Sequence, residues 1–391
     1  MTVWIQNPFD NLPSEGFRKQ RYWLMAEAFV RAGHQVVYWT SDFSHARKGM
    51  REEGTGNREQ GTGIRVECVP TIPYVGNVGF SRICSHHAYA KKWFRLATDL
   101  QDCSPFPVPS SLSHPSLIVS SCPTLSAAAA ALKVGRALGA KVVIDVQDAW
   151  PETFERLAPK GLRWLARLAL TPLRMKARRI YREADLVTGV CDAYRSLTCR
   201  DDYFRAYLGI DSGEARSYAL NKEQLRGPSS SKIRLVYAGG LGKTYDLKTL
   251  VKAVEANKEM TLDVAGFGDF ASDCPRVKFH GALSAADLQK LLSTCDIGVI
   301  PMNAASGVGL PNKIFDYAAA GLGVISSLGG ESAALLKRYK CGATYRPGDV
   351  ASLTAAIRQV TTFERGASRQ MCEREFEAMK IYDAYVKRVC A

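Results

Sequence analysis

The chain alternates between β-type and α-type segments, and this alternation starts again in the middle of the sequence. In the first half, β-branched runs such as TVWIQ, QVVYWTS and KVVIDV are separated by helical stretches such as FRKQRYWLMAEAFVRA. The same pattern resumes with IRLVYAG, TLDVAG, VKFHG and IGVIPM. Strands separated by helices indicate a parallel sheet with helices on both faces. The sequence therefore predicts an α/β protein with two doubly wound, Rossmann-like domains.

The predicted N-terminal domain covers residues 1–215 and the predicted C-terminal domain covers residues 232–362, joined by a linker that contains NKEQLRGPSSS. A charged helical segment over 363–391 follows, and we expect it to pack back toward the first domain. A chain of 391 residues exceeds one ordinary core. Two such domains in series are expected to face a cleft, with ligands at the carboxyl ends of the strands.

The balance of charge favours anionic partners. The chain has 52 Lys and Arg against 38 Asp and Glu, a formal net charge of +14. It lacks the zinc-finger spacing, basic heptads and aromatic pattern of nucleic-acid binding proteins, so we expect no nucleic-acid partner. The 11 cysteines form no CxxC pair and offer no metal-ligand spacing with the six histidines, which favours reduced thiols in a cytoplasm.

The chain also contains no uninterrupted apolar run long enough to span a bilayer. Its start, MTVWIQNPFDN, lacks the basic and apolar regions of a secretion signal. These features favour a cytoplasmic protein.

The segment AGGLGKTYDL (238–247) follows a strand and precedes a helix. Gly239, Gly240 and Gly242 allow the backbone to approach a ligand closely, and Lys243 adds a cation. This combination suits a phosphate, although GGLGKT is neither a dinucleotide fingerprint nor a Walker A loop. An ordinary strand-to-helix turn is the alternative.

The segment GVGLPNKIFDYAAAG (307–321) predicts a second anion-binding loop. Asn312 is expected to cap a helix whose free N–H groups, with those of Gly309 and Leu310, face an anion. Lys313 would strengthen that site, and Asp316, one turn further on, could accept hydrogen bonds from a ribose diol. The alternative is a surface ion pair between Lys313 and Asp316.

In these motifs the second half resembles the donor-binding domain of retaining glycosyltransferases of GT-B fold, of the family 4 type. The resemblance runs through VYAGGLG, DVAGFGD, VKFHGALSAADLQKLLSTCDIGVIPM and LPNKIFDYAAAGLGVI. LPNK…Y is similar to the subgroup that assembles repeat units of O-antigen, capsule and other exopolysaccharides. Residues 1–200 resemble the family more loosely.

The resemblance implies a nucleotide-sugar donor, transfer with retention and no required metal or cofactor. Lys243 and Lys313 would then carry the diphosphate charge, and the base would lie near Phe279 and Gly281. The chain departs from the family at Val308, where many members have a glutamate, and at Gly240, where an arginine is frequent.

In the first half, DVQDAWPETF (145–154) is similar to a DLWPE-type segment of the same subgroup. Asp148 is expected to contact the acceptor or the reacting sugar, and Trp150 to stack on a sugar ring. The alternative is that Asp148 caps a helix and Trp150 packs. Glu15 and Gly16, in the loop after the first strand, are further candidates for the acceptor site.

The segment 156–182 contains nine Lys or Arg and no Asp or Glu, interspersed with Leu162, Trp164, Leu165 and Leu168. It predicts a basic amphipathic surface at a membrane interface. Residues 81–97 are a second candidate, for which a solvated basic helix is at least as favoured. The resemblance implies a lipid-linked or saccharide acceptor at the cytoplasmic face of the inner membrane.

The predicted activity is hexosyl or N-acetylhexosaminyl transfer from a nucleotide sugar in lipopolysaccharide or exopolysaccharide synthesis. Two alternatives stay open: a nucleotide-sugar 2-epimerase of the same fold, and a donor-binding assembly protein without turnover.

Overall fold

The computed structural model describes residues 1–51, 62–76, 79–98, 113–211, 213–218, 232–242, 244–304, 306–364 and 366–391. The chain forms two compact units. The first contains Met1–Ala206 together with Met379–Ala391, and the second contains Tyr207–Ala378. The chain therefore leaves the first unit after residue 206 and returns to it at residue 379. Residues 219–231 of the predicted linker lie outside the described residues.

The first unit is built on a parallel sheet of seven strands. The strands of this unit are β1 (Thr2–Gln6), β2 (Gln35–Ser41), β3 (Phe43–Ser44), β4 (Gly49–Met50), β5 (Ile64–Val69), β6 (Leu117–Cys122), β7 (Lys141–Val146), β8 (Leu186–Gly189) and β9 (Phe204–Arg205). The order in the sheet is β5-β2-β1-β6-β7-β8-β9, and β3 and β4 form a separate antiparallel hairpin. Every residue of β1 and β6 is buried, as expected for central parallel strands covered on both faces.

Helices connect these strands. The helices of the first unit before residue 206 are α1 (Arg21–Arg31), α2 (Phe80–Thr98), α3 (Leu125–Leu138), α4 (Glu152–Leu157), α5 (Arg163–Ala169), α6 (Thr171–Glu183) and α7 (Arg195–Thr198). Short 3₁₀ turns at Pro13–Glu15, Lys160–Leu162 and Asp192–Tyr194 complete the connections.

The second unit repeats the plan with six parallel strands. The strands are β10 (Ile233–Ala238), β11 (Met260–Ala265), β12 (Val277–Gly281), β13 (Ile297–Ile300), β14 (Gly323–Ser326) and β15 (Gly342–Thr344). The helices are α8 (213–218), α9 (Leu247–Ala256), α10 (Ala285–Ser293), α11 (Lys313–Ala319), α12 (Gly330–Arg338), α13 (Val350–Thr361) and α14 (Ala367–Met371), followed by a π-helical turn (Cys372–Phe376). The last helix, α15 (Ala378–Cys390), belongs to the first unit from Met379 onward.

Both sheets confirm the predicted fold class. The second sheet has the order β12-β11-β10-β13-β14-β15, which is the doubly wound order in which the direction of strand addition reverses once. The reversal lies between β10 and β13, and the corresponding point of the first sheet lies between β1 and β6. Ligands of open parallel sheets bind beyond the carboxyl ends of the strands at this reversal.

A buried ion pair connects the elements of the first unit. Arg21 on α1 donates two hydrogen bonds to the carboxylate of Asp145 on β7, at 2.7 and 2.8 Å. Tyr22 and Thr188 donate to the same carboxylate, at 2.8 and 2.6 Å. Burial alone would raise the pKa of Asp145, but the charge and hydrogen bonds of Arg21, with those of Thr188 and Tyr22, hold this pKa below its usual range. Arg21 also donates to the carbonyl of Ala206, where the chain leaves the unit.

The C-terminal helix α15 completes this unit. The Arg21 guanidinium lies 5.7 Å from the ring centroid of Tyr382. Tyr385 meets Phe29 edge to face at 6.4 Å, and Arg31 pairs with Asp383 at 2.8 Å on the surface. The first unit is therefore assembled from both ends of the chain.

We expect Asp145→Asn to lower the stability of the first unit by about 3–5 kcal/mol, because a buried guanidinium loses its counter-charge. All six tryptophans lie at or before residue 164, so tryptophan fluorescence during urea unfolding reports this unit. Asp201→Asn, at an exposed position, is the matched control. Equal losses in the two variants would contradict the role of the ion pair.

A second prediction concerns pH. Burial raises the pKa of Asp10, in the loop after β1, to about 6, although Tyr38 donates a hydrogen bond to it. Because the folded pKa exceeds the unfolded one, the protonated group stabilises the fold below about pH 4, and this contribution is lost as the pH rises through about 6. Asp10→Asn stays neutral, so we expect it to be more stable than the parent at pH 7.5, by up to about 3 kcal/mol, and equal to it at pH 4. Urea unfolding at both pH values tests this, and an Asn variant that is less stable at pH 7.5 would refute it.

Candidate active site

The glycines after β10 and β11 let two loops pack backbone against backbone. Gly239 and Gly266 have φ angles of +143° and +149°. A side chain on Gly266 would lie 1.8 Å from the carbonyl oxygen of Gly239, and one on Gly268 would lie 2.8 Å from the Leu241 side chain. The Gly239 N–H donates to the carbonyl of Ala265 at 2.8 Å. These glycines are therefore required by the loop packing itself.

Gly240 and Gly242 differ from these glycines, because a side chain added at either position would meet no atom of the described residues within 4 Å. Both face open space. The Gly240 carbonyl accepts a hydrogen bond from the Tyr237 hydroxyl at 2.5 Å, which fixes the turn. Both positions therefore leave room for a ligand beside this loop. Lys243, the predicted cation of the loop, lies outside the described residues.

Lys313 reaches from the start of α11 to the end of β10. A Cβ atom added to Gly239 would lie only 2.5 Å from the Lys313 ammonium, so the lysine occupies the space that a side chain at residue 239 would need. The ammonium donates to the Tyr245 hydroxyl at 3.1 Å and lies 4.2 Å from the centroid of the same ring. The Tyr237 ring lies 5.2 Å away. Lys313 forms no ion pair with any carboxylate of the described residues.

The position of α11 follows from one tyrosine and one glycine. The Tyr317 hydroxyl accepts a hydrogen bond from the N–H of Ala238 at 3.0 Å. A side chain on Gly298 of β13 would lie 2.3 Å from the Tyr317 ring, so only glycine admits the ring there. The helix is thereby held against β10 and β13, the two strands at the reversal, and this contact directs Lys313 to the carboxyl edge of the sheet.

The connections after β10 and β13 also join each other. The Asp246 N–H donates to the Pro301 carbonyl at 2.7 Å, and the Asn303 N–H donates to the Thr244 carbonyl at 2.9 Å. Several N–H groups of these connections have no hydrogen-bond acceptor within the described part of the chain: those of Gly240, Gly242, Gly309 and Leu310. Each can donate to a ligand.

The structure places Asp316 one turn along α11 from Lys313, where it is half-buried. Its carboxylate accepts a hydrogen bond from the Tyr218 hydroxyl at 3.3 Å. The alternative considered from the sequence, a surface ion pair between Asp316 and Lys313, does not form among the described residues. Val308, at the position of the family glutamate, is half-buried, and its N–H donates to the Ser306 hydroxyl at 3.3 Å.

Asn312 occupies the N-cap position of α11, as predicted, but its side chain does not cap the helix. Its backbone is already helical, with φ −57° and ψ −29°, and its side chain makes no capping hydrogen bond. A capping residue normally has an extended backbone, which turns its side chain toward the free N–H groups.

Phe279 and Gly281 lie on β12. Phe279 is half-buried against the core of the second unit, 6.4 Å from the Phe270 ring. Gly281 ends the strand with a φ of +68°, and its carbonyl accepts the Gly266 N–H at 2.7 Å. Between them, His280 forms a 2.7 Å hydrogen bond with Asp263, which also pairs with Arg234 at 3.1 Å. This histidine therefore belongs to a side-chain network across three strands.

In the first unit, Asp148 and Trp150 follow β7 at the carboxyl edge of the sheet. Asp148 is an exposed residue. Desolvation by the surrounding protein raises its carboxyl pKa, while the Ala149 N–H and the Arg82 charge act in the opposite direction. The Trp150 ring meets Phe154 edge to face at 4.6 Å and lies 6.4 Å from the His86 ring. Both side chains lie where a ligand of this sheet would bind.

Glu15 and Gly16 have different surroundings. Glu15 forms an ion pair with Arg51 at 2.6 Å, and its side chain is only 10% exposed. It also accepts the Leu12 N–H at 3.0 Å. Gly16 is exposed with a φ of +78°, and nothing lies within 4 Å of an added side chain. Glu15 therefore stabilises the loop through these contacts, whereas Gly16 has no described atom close to the position of an added side chain.

Sequence reasoning missed a cluster of rings and cations near Asp148. We call it the cationic cluster, and its members are Phe9, His45, Lys48, Tyr74, Arg82 and His86. Phe9 follows β1, His45 and Lys48 lie between β3 and β4, and Tyr74 follows β5. Arg82 and His86 lie on the first turns of α2. Because these segments are far apart in the sequence, no local pattern indicated the cluster.

Within the described residues, no three His, Cys, Asp or Glu side chains are grouped so that they could hold a metal ion. No helix of the described residues is both long enough and apolar enough to cross a bilayer.

The two halves match two protein families. Residues 20–206 match the family described as glycosyl transferase 4-like domain, and residues 232–362 match the family described as glycosyl transferases group 1. No curated protein matches the chain.

Solved structures with a similar fold cover the whole chain. Sucrose-phosphate synthase from Thermosynechococcus elongatus has a TM-score of 0.68 at 13% identity, covering 99% of this chain and 97% of its own. HepE from Anabaena in complex with UDP-glucose has a TM-score of 0.64 at 14% identity, covering 100% and 99%. The catalytic domain of starch synthase IV from Arabidopsis thaliana, bound to ADP and acarbose, has a TM-score of 0.59 at 12% identity, covering 100% and 99%.

At these identities the structural likeness shows the fold, and the two family matches, which together span most of the chain, show the class of protein. The chain belongs to the glycosyltransferases of GT-B fold, with a glycosyl transferase 4-like first half and a group 1 second half.

Proposed function

We propose that this glycosyltransferase takes a hexosyl or N-acetylhexosaminyl group from a nucleoside diphosphate sugar and transfers it, with retention, to an acceptor hydroxyl. The observation that carries the proposal is the Lys313 ammonium at the carboxyl end of β10, beside Gly239 and without a carboxylate partner among the described residues. The complex of the similar HepE with UDP-glucose supports the choice of donor.

The chemistry needs a cation at this place. As the bond from the anomeric carbon to the diphosphate breaks, negative charge grows on the leaving oxygen and the sugar becomes oxocarbenium-like. Fixed donors aimed at that oxygen lower the barrier, because they need no reorganisation during the reaction. Lys313 and the free N–H groups of Gly240, Gly242, Gly309 and Leu310 are such donors.

The tyrosines around Lys313 keep the ammonium in place without neutralising it. The Tyr245 ring and hydroxyl and the Tyr237 ring attract the cation, yet neither carries a negative charge. A diphosphate that enters the site therefore meets an undiminished positive charge. Since a lysine and backbone amides take this role, the reaction as proposed requires no divalent metal.

The remaining donor contacts extend along the same edge. Asp316 would accept hydrogen bonds from the ribose hydroxyls, with Tyr218 orienting its carboxylate. Lys243 would add a second cation to the diphosphate. Phe279 and Gly281, at the end of β12, would lie beside the base.

For the acceptor, we propose Asp148 and Trp150 in the first unit, together with Gly16 in the loop after β1. Asp148 would orient the attacking hydroxyl as its proton leaves, and the Trp150 ring would stack on a sugar. Because Glu15 is held by Arg51, we assign it to supporting the loop.

We further propose that the acceptor is a lipid-linked saccharide of cell-surface polysaccharide synthesis, reached at the cytoplasmic face of the inner membrane. The support is an apolar patch on α5, α6 and the turn before them. Its exposed side chains are Leu162, Trp164, Leu165, Leu168, Leu173 and Met175, between 43% and 67% exposed. No residue of α5 is buried.

Large apolar side chains beside many arginines fit an anionic bilayer. Arg163 and Arg167 belong to the same short helix, and Lys176, Arg178 and Arg179 follow on α6. Arginines attract acidic headgroups while leucine and tryptophan enter the acyl boundary.

We expect Lys313→Ala to reduce transfer by about 10²-fold or more, because it removes a donor to the leaving group. A thermal-shift screen of UDP-, GDP- and dTDP-sugars first identifies the donor, since a bound ligand raises the melting temperature. Release of the nucleoside diphosphate, with a polyprenyl diphosphate-linked sugar as acceptor, then measures turnover. Lys252→Ala, an exposed lysine on α9, is the matched control.

If Lys313→Ala leaves turnover unchanged, Lys313 does not stabilise the leaving diphosphate, and the proposed mechanism is refuted. Interconversion of the nucleotide sugar without transfer would identify the epimerase instead. Donor binding without any product would identify a non-catalytic assembly protein.

For the membrane, we expect Leu165→Ser combined with Leu168→Ser to weaken co-sedimentation with vesicles by about tenfold or more, because two buried leucines each contribute roughly 1.5–3 kcal/mol. The vesicles contain phosphatidylcholine and phosphatidylglycerol. Met379→Ser, an exposed apolar position on α15, serves as control. Sedimentation that is unaffected by the double change would show that this surface is solvated.

A further inference from the structure

Phe267 is a large aromatic side chain that the second unit leaves in solvent. It is 75% exposed, and among the described residues of this unit no other large apolar side chain is exposed. A phenylalanine in water forgoes the stabilisation that burial of its ring would contribute. Single exposed apolar residues are common, so the exposure acquires meaning only from the position of the ring.

The backbone of Phe267 is held between the ends of two neighbouring strands. The Leu241 N–H, in the loop after β10, donates to the Phe267 carbonyl at 2.9 Å. The N–H of the preceding residue, Gly266, donates to the carbonyl of Gly281 at the end of β12, at 2.7 Å. Phe267 therefore extends from a fixed point between the loop proposed for the diphosphate and the strand end proposed for the base.

The residues on either side of Phe267 are glycines that the packing requires. Gly266 and Gly268 have φ angles of +149° and +142°, which residues with side chains rarely adopt. A side chain on Gly266 would overlap the carbonyl of Gly239, and one on Gly268 would crowd the Leu241 side chain. Over residues 266–268 the loop after β11 thus presents a single side chain, and that side chain is an aromatic ring.

The place of this ring matches the path of a nucleoside. Neighbouring strands of a sheet lie about 4.8 Å apart, so the ends of β11 and β12 lie about 5 and 10 Å from the end of β10. A nucleoside that extends from a diphosphate at β10 to a base near β12 must pass the loop after β11. Phe279, the aromatic residue predicted beside the base, is half-buried against the core with Phe270. Phe267 has the more accessible ring.

We propose that the Phe267 ring stacks on the nucleobase of the donor, so that residue 267 supplies the aromatic face of the base site. The proposal rests on the proposed function in one respect, namely that a nucleoside diphosphate sugar binds along this edge. Aromatic rings stack on every base, since each base has a π-face. Phe267 therefore contributes affinity for the nucleoside, while groups at the edge of the base must select its identity.

The test measures binding to the full chain by isothermal titration calorimetry, with UDP, GDP, dTDP and inorganic pyrophosphate as probes. We expect Phe267→Ala to weaken the tightest-binding nucleotide about tenfold or more, because it removes the stacking contact. Pyrophosphate should bind the variant and the parent equally, because it has no base. Phe267→Tyr should keep the nucleotide affinity, and Phe80→Ala, at an exposed phenylalanine of the first unit, is the matched control.

A second measurement detects the stacking directly. The base protons of a nucleotide bound at saturation should shift upfield in the parent and in Phe267→Tyr, because they lie over an aromatic ring. Phe267→Leu keeps an apolar side chain but should lose this shift. An unchanged melting temperature of the free variants shows that they are folded.

In transfer assays Phe267→Ala should raise the KM for the nucleotide sugar and leave kcat unchanged, since the base is bound equally in the ground state and the transition state. Lys313→Ala should instead lower kcat. A fall in kcat without a change in KM for Phe267→Ala would contradict a role confined to base binding.

Unchanged nucleotide affinity in Phe267→Ala would overturn the proposal. Equal losses for the nucleotide and for pyrophosphate would also overturn it, because residue 267 would then support the diphosphate loop. Neither result touches the proposed function, which depends on nucleotide binding by the parent protein and on Lys313. A parent protein that binds none of the three nucleotides would overturn both proposals.

Discussion

The second unit depends on a space that only glycine leaves open. Lys313 fills the position that a side chain on Gly239 would take, and the Tyr317 ring fills the position that a side chain on Gly298 would take. The ring anchors α11 against the strands on both sides of the sheet reversal, and the helix then directs its lysine across the edge of β10. A fixed, uncompensated ammonium at this point is what a departing diphosphate requires.

In the interior of the first unit, by contrast, a buried positive charge is paired with a buried negative charge. Arg21 and Asp145 are fully paired, with Thr188 and Tyr22 satisfying the remaining acceptor sites. The charges of this buried pair are therefore balanced, whereas Lys48 and Arg82, in the loops beside the sheet, lie over the rings of Tyr74 and Phe9. The buried pair supports the fold, while the carboxyl edge of a parallel sheet is where a ligand binds.

The sequence predicted both sheets, since their strands are buried runs divided by helices. It also placed Lys313 at the start of a helix and Asp148 after a strand. It could not predict the Arg21–Asp145 pair, whose members lie 124 positions apart, nor the cationic cluster, whose members come from separate loops. It placed Asn312 correctly at the N-cap of α11, but the missing side-chain hydrogen bond follows from a backbone angle that residue type does not reveal. It also treated all glycines of AGGLG alike, although Gly239 serves internal packing while Gly240 and Gly242 face open space.

The return of α15 to the first unit has a practical consequence for dissecting the protein. Residues 207–378 are one uninterrupted stretch and can be expressed as such, whereas the first unit cannot be obtained by simply stopping translation near residue 206. Such a fragment would lack Tyr382 beside Arg21 and Tyr385 beside Phe29. A faithful fragment needs the last 13 residues, Met379–Ala391, rejoined by a short artificial connection or added as a separate peptide.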